Sequence, residues 1–391
     1  MRKLPFVLLA VLAMIVTACS GGDGGSTGTS TPGARSPEAG TSAAPAPGPT
    51  TTTPDDCAAE YLGQFTTREK LAQLLTVGVT GTEDALSVVR DHQVGGIFVG
   101  SWTDLSILTS GELEQVRAAA KVPLMVTTDE EGGRVSRLGS LIGTAPSARE
   151  TAQTMTAEQF YNATLDRARA MRDLGITVDF APDIDVSSQP DDSVIGDRSF
   201  SDDPAVVTEY ADAYIRAMHE MGLGTVLKHF PGHGAGTGDS HLGAVQVAPL
   251  EQLATRDLVP FRELIDSGSA VMVGHLDVPG LTTPGVPASI SPEVMSLLRE
   301  GSGYGAAPFD GVIFTDDLSG MAAITDRMSI PEAVEATLVA GADNALWIST
   351  DAVGQVLDRL EEAVAAGRLP MDRVDESVLR MADYKRVPRA C

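Results

Sequence analysis

Eight short apolar runs, rich in β-branched residues and spread along the chain, restrict its fold more than any other feature. They cover residues 75–79, 96–100, 124–128, 176–180, 225–228, 270–273, 312–315 and 345–348. Each is continuously apolar rather than alternating, so each strand is expected to be covered on both faces, as in a parallel sheet wrapped by helices. Helical stretches at 67–74, 83–92, 111–120, 157–174, 204–221, 251–267, 292–300, 331–340 and 351–366 fill the intervals. Asp203-Pro204 and Ser291-Pro292 place a capping residue and then Pro at a helix start, and Gly222, Gly268 and Gly341 follow last turns. Eight such units over about 310 residues predict an α/β fold, a (β/α)8 TIM-type barrel forming one domain at 57–391. A doubly wound open sheet is the alternative, disfavoured because no dinucleotide glycine fingerprint follows the first strand. A last helix at 371–384 is expected to close the bottom or side of the barrel.

The segment ahead of this domain reads as an export signal and a tether. Arg2 and Lys3 precede an apolar run at 4–16 that is too short to settle across a bilayer, the order of a signal peptide spanning 1–18. Residues 16–19 (VTAC) resemble a bacterial lipobox, which implies cleavage before Cys19 and lipidation of that residue. Residues 19–56 are mostly Gly, Ser, Thr, Ala and Pro and cannot bury enough apolar surface to fold, so a flexible tether is expected. A net charge of -25 argues against a nucleic-acid partner and gives no attraction to anionic lipid, leaving the lipid anchor as the membrane contact. The domain is then extracytoplasmic, held at the outer face of the cytoplasmic membrane, and is expected to be a monomer. Export permits disulfides, and Cys57 and Cys391 stand at the first and last elements of the barrel, which are neighbours, so a Cys57–Cys391 staple is expected.

Reactive groups in such a barrel come from the C-terminal ends of several strands. Here the third strand leads into 129–134 (DEEGGR), and the fourth into Asp183, Asp185 and the loop 196–200 (GDRSF). The fifth ends in Lys228 and His229, the sixth runs to His275 and Asp277, and the seventh to Asp316 and Asp317. Trp347, near the end of the eighth, is expected to stack on an apolar face of a ligand. Residues 226–243 (VLKHFPGHGAGTGDSHLG) add His233, Asp239 and His241 in a glycine-rich loop. A carboxylate on a rigid strand end can attack an anomeric carbon while a second group protonates the departing oxygen. Asp316 or Asp317 suits the first role. His241, its ring oriented by Asp239 two residues earlier, suits the second as acid and then base. Arg134, Arg198, Lys228 and His229 would then donate to sugar hydroxyls or an N-acyl oxygen. His229, His233, Asp239 and His241 also imitate a zinc set. Their spacing matches no compact zinc motif, and Pro231 keeps His229 and His233 off one helical face, so no metal is expected. No phosphate-cradling motif is present, so no cofactor is expected, and His92 and His219 read as structural.

Taken together, residues 129–135 (DEEGGRV), 195–200 (IGDRSF), 228–234 (KHFPGHG), 239–241 (DSH) and 311–319 (GVIFTDDLS) resemble bacterial β-N-acetylglucosaminidases of glycoside hydrolase family 3, single-domain lipoprotein members in particular. The resemblance implies a retaining mechanism with Asp316 as nucleophile, His241 as acid/base and Asp239 as its partner. It places Asp129, Arg198, Lys228 and His229 around a terminal N-acetylglucosamine, with His275 near the same subsite. The implied substrate is β-1,4-linked N-acetylglucosamine next to N-acetylmuramic acid in peptidoglycan fragments, muropeptides included. Three departures stand out: Glu130 where Gln is frequent, adding charge near the glycan; residues 235–238 (AGTG), expected to loosen the loop; and Gly320 between Ser319 and Met321.

Two other functions fit parts of the pattern. A neutral histidine does not repel phosphate as a carboxylate would, so a β-N-acetylglucosaminide phosphorylase is one alternative. A non-catalytic lipoprotein that captures cell-wall sugars is another, which leaves the Asp316, Asp239 and His241 set without a purpose.

Overall fold

The computed structural model describes residues 54–388; the signal peptide, Cys19, tether residues 19–53 and Cys391 lie outside the described residues. Eight parallel strands form one sheet: β1 (Leu75–Val79), β2 (Gly96–Val99), β3 (Met125–Thr128), β4 (Val178–Asp179), β5 (Gly224–Phe230), β6 (Ala270–Val273), β7 (Ile313–Thr315) and β8 (Ala345–Trp347). Each strand pairs with its sequence neighbour, β1 also pairs with β8, and a bridge between Phe314 and Asn344 brings β7 to the entry of β8. The sheet is the expected (β/α)8 barrel, with every apolar run supplying its strand.

Rings that touch across non-adjacent strands show how the interior is filled. Phe98 on β2 lies 5.8 Å from Phe180, just past β4, and Phe180 lies 5.3 Å from Phe314 on β7. Such contacts can only run through the inside of the barrel, so its centre is a packed core and not a pore. Phe314 continues the column to Tyr384, 6.0 Å away, on the terminal helix Met371–Tyr384. The Tyr384 hydroxyl donates to the carbonyl of Thr225 at 2.9 Å, which seats that helix against the start of β5, the bottom of the barrel. Asp343, buried before β8, accepts from Ile313 N at 2.9 Å, Ser377 Oγ at 2.8 Å and Arg373 at 3.0 Å, and also pairs with Arg299. Burial alone would raise its pKa; the guanidiniums of Arg299, Arg373 and Arg380 outweigh that and hold it below the ordinary range.

Two elements differ from the sequence reading. The fourth strand is two residues long because Ala181-Pro182 interrupts the ladder, proline having no N–H to donate, and pairing resumes only at the Asp183–Lys228 bridge. The expected helix at 251–267 is two helices, Leu250–Leu253 and Leu258–Leu264. The restart places Pro260 in a first turn, where its missing donor costs nothing.

Candidate active site

The C-terminal ends of the strands enclose a cavity of about 370 Å³. Its wall includes Asp129, Arg198, Lys228, His229, Asp239, His241 and Asp316, which the sequence reading had drawn from five separate segments. Lys228 and His229 both face it although they are adjacent, the register with β6 shifting between Leu227 and Phe230.

The floor on the β3–β5 side is a buried ion cluster. Lys228 Nζ lies 2.8 Å from Asp129 Oδ1 and 2.5 Å from Glu131 Oε1. Arg198 reaches the same Glu131 with two parallel bonds of 2.7 Å, the bidentate geometry that fixes a guanidinium plane. Burial works against the charge on Glu131, yet Arg198 and Lys228 prevail and hold its carboxyl far below the usual range. Lys228, whose burial favours loss of its proton, is held charged by Asp129 and Glu131. The two cations are thus locked in place before a sugar arrives.

His229 is set differently from its expected role as a donor. Its Nδ1 lies 2.7 Å from Asp185 Oδ2, and burial, followed by the nearby Arg198 charge, lowers its pKa. The neutral ring donates from Nδ1 to Asp185 and presents Nε2 as an acceptor, 3.4 Å from Arg198. His233 joins the wall with its backbone N–H donating to Asp185 Oδ1 at 2.6 Å, and its buried Nε2 has no hydrogen-bond partner among the described residues. Asp183, Asp185 and His229 bring ligand atoms within 4.8 Å of one another, a set that could hold a metal. It differs from the set suggested by the sequence, and the Arg198 guanidinium, 3.5 Å from Asp183 Oδ2, already supplies positive charge there.

Opposite this cluster stand the two aspartates after β7. Asp317 accepts from Ser319 N and Oγ, both at 2.8 Å, and from Gly320 N at 2.9 Å, so its carboxylate is committed to the turn. Burial raises the Asp317 pKa. Among the described residues Asp316 accepts only the Asp317 N–H, at 2.9 Å, and it lines the cavity. Burial would raise its pKa as well, but His229, His275 and Lys228 lower it overall, which keeps Asp316 ionised. His241 completes the ring: its Nδ1 lies 2.7 Å from Asp239 Oδ1, which also accepts the His241 N–H at 2.9 Å. That leaves Nε2 as the reactive nitrogen on a side chain 57% exposed.

Several expected positions move. His275 is buried and off the cavity wall; its Nδ1 meets Ser289 Oγ at 2.7 Å and its Nε2 the Asp317 carbonyl at 2.8 Å. Arg134 reaches the wall, but its donors go to Asp197 at 2.8 Å and to the carbonyls of Val194 and Ile195 at 2.9 and 3.0 Å. Arg137, which the sequence reading passed over, lines the cavity 3.7 Å from Asp129, with a buried Nε that has no hydrogen-bond partner among the described residues. The missed signal was Gly132-Gly133, both at positive φ, which turn residues 130–136 into a hairpin and fold Arg137 back beside Asp129. Trp347 is also displaced: Leu346 and Ile348 line the cavity, so strand alternation turns Trp347 away into the core, where it is fully buried. Trp102, after β2, is the tryptophan at the mouth. Glu130 does not charge the glycan site; it is buried beneath the hairpin, paired with Arg167 and accepting from Ser136 Oγ and Leu138 N at 2.6 Å each. Residues 235–238 are tied down, with Thr237 N and Oγ1 donating to Gln246 O at 2.9 and 3.0 Å, and Gln189 donating to Gly236 O at 3.0 Å.

A sugar-sized cavity in a barrel mouth, with an ionised carboxylate and a histidine–aspartate pair on its wall, has the layout of a barrel glycosidase. The sequence matches the model of the glycosyl hydrolase family 3 N terminal domain over residues 66–384. It is 54% identical over 382 residues to the beta-hexosaminidase LpqI of Mycobacterium tuberculosis H37Rv, covering 97% of this chain and 96% of that protein. The solved structure of M. tuberculosis LpqI superposes with a TM-score of 0.83 at 56% identity, over 85% of this chain and 98% of that one. A glycosyl hydrolase of the GH3 family from Mycobacterium smegmatis gives a TM-score of 0.81 at 58% identity, over 84% and 98% of the two chains. The chain belongs to glycosyl hydrolase family 3.

Proposed function

We propose that this chain is a retaining exo-β-N-acetylglucosaminidase that removes terminal β-1,4-linked N-acetylglucosamine from peptidoglycan fragments, peptide-bearing ones included. Kinship with the beta-hexosaminidase LpqI supports the hydrolase class and an anchored, outward-facing protein with a glycan substrate. The observation that carries the mechanism is that Asp316 and the Asp239–His241 pair line one cavity from separate loops.

In this mechanism Lys228, Arg198, Arg137 and Asp129 grip the hydroxyls and N-acyl group of the terminal sugar, while His229 Nε2 accepts from a hydroxyl. Asp316 attacks the anomeric carbon. As the carbon–oxygen bond breaks, His241 Nε2 gives its proton to the departing oxygen, and Asp239 stabilises the ring through Nδ1. Water then enters on the vacated side, His241 takes its proton, and the sugar–Asp316 bond breaks. Two inversions give net retention. His275 acts by holding the Asp317 carbonyl beneath the nucleophile and does not touch the sugar. Cys19 lipidation and the Cys57–Cys391 staple belong to the same proposal; Cys57 is buried in the first described helix, Pro54–Leu62.

The test is turnover of a chromogenic β-N-acetylglucosaminide by the parent protein and by Asp316→Asn. A covalent nucleophile predicts that the variant loses at least about a thousandfold in kcat/KM. Equal rates would remove Asp316 from the role.

A further inference from the structure

A second cavity, of about 320 Å³, lies on the flank of the barrel between residues 142–155 and the helix Ala157–Asp173. Its volume falls within the range of small-molecule sites, and Ile142, Pro146, Met155 and Phe160 make much of its wall apolar. Every charge in that wall is already paired inside the protein. Glu130 pairs with Arg167, Glu131 with Arg198 and Lys228, and Asp166 with Arg169 at 2.8 Å. A charged ligand would lose its hydration on entry and meet no unpaired counter-charge. The hydroxyls are in the opposite state. Thr151 and Thr164 are 2% and 3% exposed, both line the cavity, and neither side chain has a hydrogen-bond partner among the described residues. The Nε of Arg167, in the same wall, is also without one. Donors held in this way favour a ligand that brings a neutral acceptor and an apolar body.

The cavity backs onto the catalytic floor. Glu131 lines both cavities. A void of about 20 Å³ has Glu131 and Arg198 in common with the first, and Glu131, Thr151, Phe160 and Tyr214 in common with the second. The strand Glu130–Gly132 is also tied to the walls of the second cavity at both ends. Glu130 N donates to Asp179 Oδ1 at 2.9 Å, and the Tyr214 hydroxyl, in the cavity wall, donates to Asp179 Oδ2 at 2.6 Å. Gly133 N donates at 2.9 Å to the carbonyl of Ala145, another wall residue. A molecule packed there opposes any retreat of Glu131 from Arg198 and Lys228, so it and the sugar favour the same arrangement.

We propose that this cavity is a second ligand site, for an uncharged small molecule with an apolar body and a carbonyl acceptor, and that its occupancy tightens sugar binding by bracing the strand that carries Glu131. The site itself stands apart from the glycosidase reading above; the coupling rests on it.

Calorimetry on the full protein with cyclohexanecarboxamide as the probe tests the site without relying on turnover. The amide is expected to bind with a Kd on the order of 1 mM, as suits so small a ligand. Cyclohexanecarboxylate and aminomethylcyclohexane, its anionic and cationic counterparts, should bind at least about tenfold more weakly. Thr164→Val keeps the shape, removes the hydroxyl and should weaken the amide about fivefold, the worth of one hydrogen bond. Ala170→Leu, which fills the cavity, should abolish binding. Neither residue lines the catalytic cavity, so both variants should hydrolyse an aryl β-N-acetylglucosaminide at the parental rate when no amide is present. Saturating amide should lower the parental KM about threefold, and by reciprocity N-acetylglucosamine should tighten amide binding by a similar factor. No amide binding, equal binding of the charged counterparts, or binding untouched by Ala170→Leu would overturn the site. Amide binding with KM and N-acetylglucosamine affinity unchanged would overturn the coupling alone. A parent protein that binds the amide yet leaves the aryl substrate intact would overturn the hydrolase reading and leave the site standing.

Discussion

Replacing Glu131 by Gln removes one negative charge from a buried site that binds two cations. Glu131 takes both bonds of the Arg198 fork at 2.7 Å and Lys228 at 2.5 Å, with its side chain only 5% exposed. Deleting one partner of a buried ion pair costs about 3–5 kcal/mol, because the remaining charge stays desolvated. Here the lower end applies, since Lys228 keeps Asp129 at 2.8 Å and Arg198 keeps Asp183 at 3.5 Å. About 3 kcal/mol corresponds to a fall in Tm of roughly 4 °C for a domain of this size. The loss is pH-dependent in a defined direction. The folded-state pKa of Glu131 lies below the ordinary 4.5, so its stabilisation is complete above that value and is lost as pH falls through the folded pKa. Melting temperature measured from pH 7 to pH 3 should therefore fall less steeply in Glu131→Gln than in the parent. Because both sugar-gripping cations lose their shared anchor, KM should rise about tenfold with a smaller change in kcat. A variant with parental Tm at pH 7, or the parental acid slope, would refute the view that Glu131 organises this floor.

Two other perturbations probe the loop and the termini. His241→Ala should cost about 10²- to 10⁴-fold on a natural disaccharide and distinctly less on a substrate with an activated aryl leaving group, since protonation is then dispensable. Equal losses on the two substrates would exclude the acid role. Thiol labelling of the denatured, unreduced protein should find neither Cys57 nor Cys391 reactive; two reactive thiols would rule out the staple.

The fold was readable because burial on both faces leaves an unbroken apolar run for each strand, and that signal survives without any knowledge of neighbours. The polar residues at strand ends were readable for the same reason: Lys228, His229 and Asp316 follow directly from where the runs stop. What sequence alone misplaced depends on which way a side chain turns. Trp347 lies between two cavity-lining residues and so points the other way, while Trp102 sits in a loop that periodicity does not describe. Arg134 and Arg137 are three residues apart on one hairpin, and only the fold-back at Gly132-Gly133 decides which of them meets Asp129. His229 looked like a cation by type. Burial beside Arg198 makes it a neutral acceptor, an outcome set by side chains 31 and 44 residues away.

The backbone N–H of Ala323 donates to the carbonyl of Ser240 at 3.1 Å, joining the loop that carries His241 to the helix Ala322–Thr325 that follows Asp316 and Asp317. The proton donor and the nucleophile thereby share a mechanical reference, even though 75 residues separate them in sequence. A loop referred to the barrel wall would change its distance from Asp316 whenever the β7 loop shifted, whereas a loop latched to that segment moves with it. Transplanting residues 235–243 alone into another barrel would leave this registration behind. The transferable unit is the pair of segments, 235–243 with 316–325.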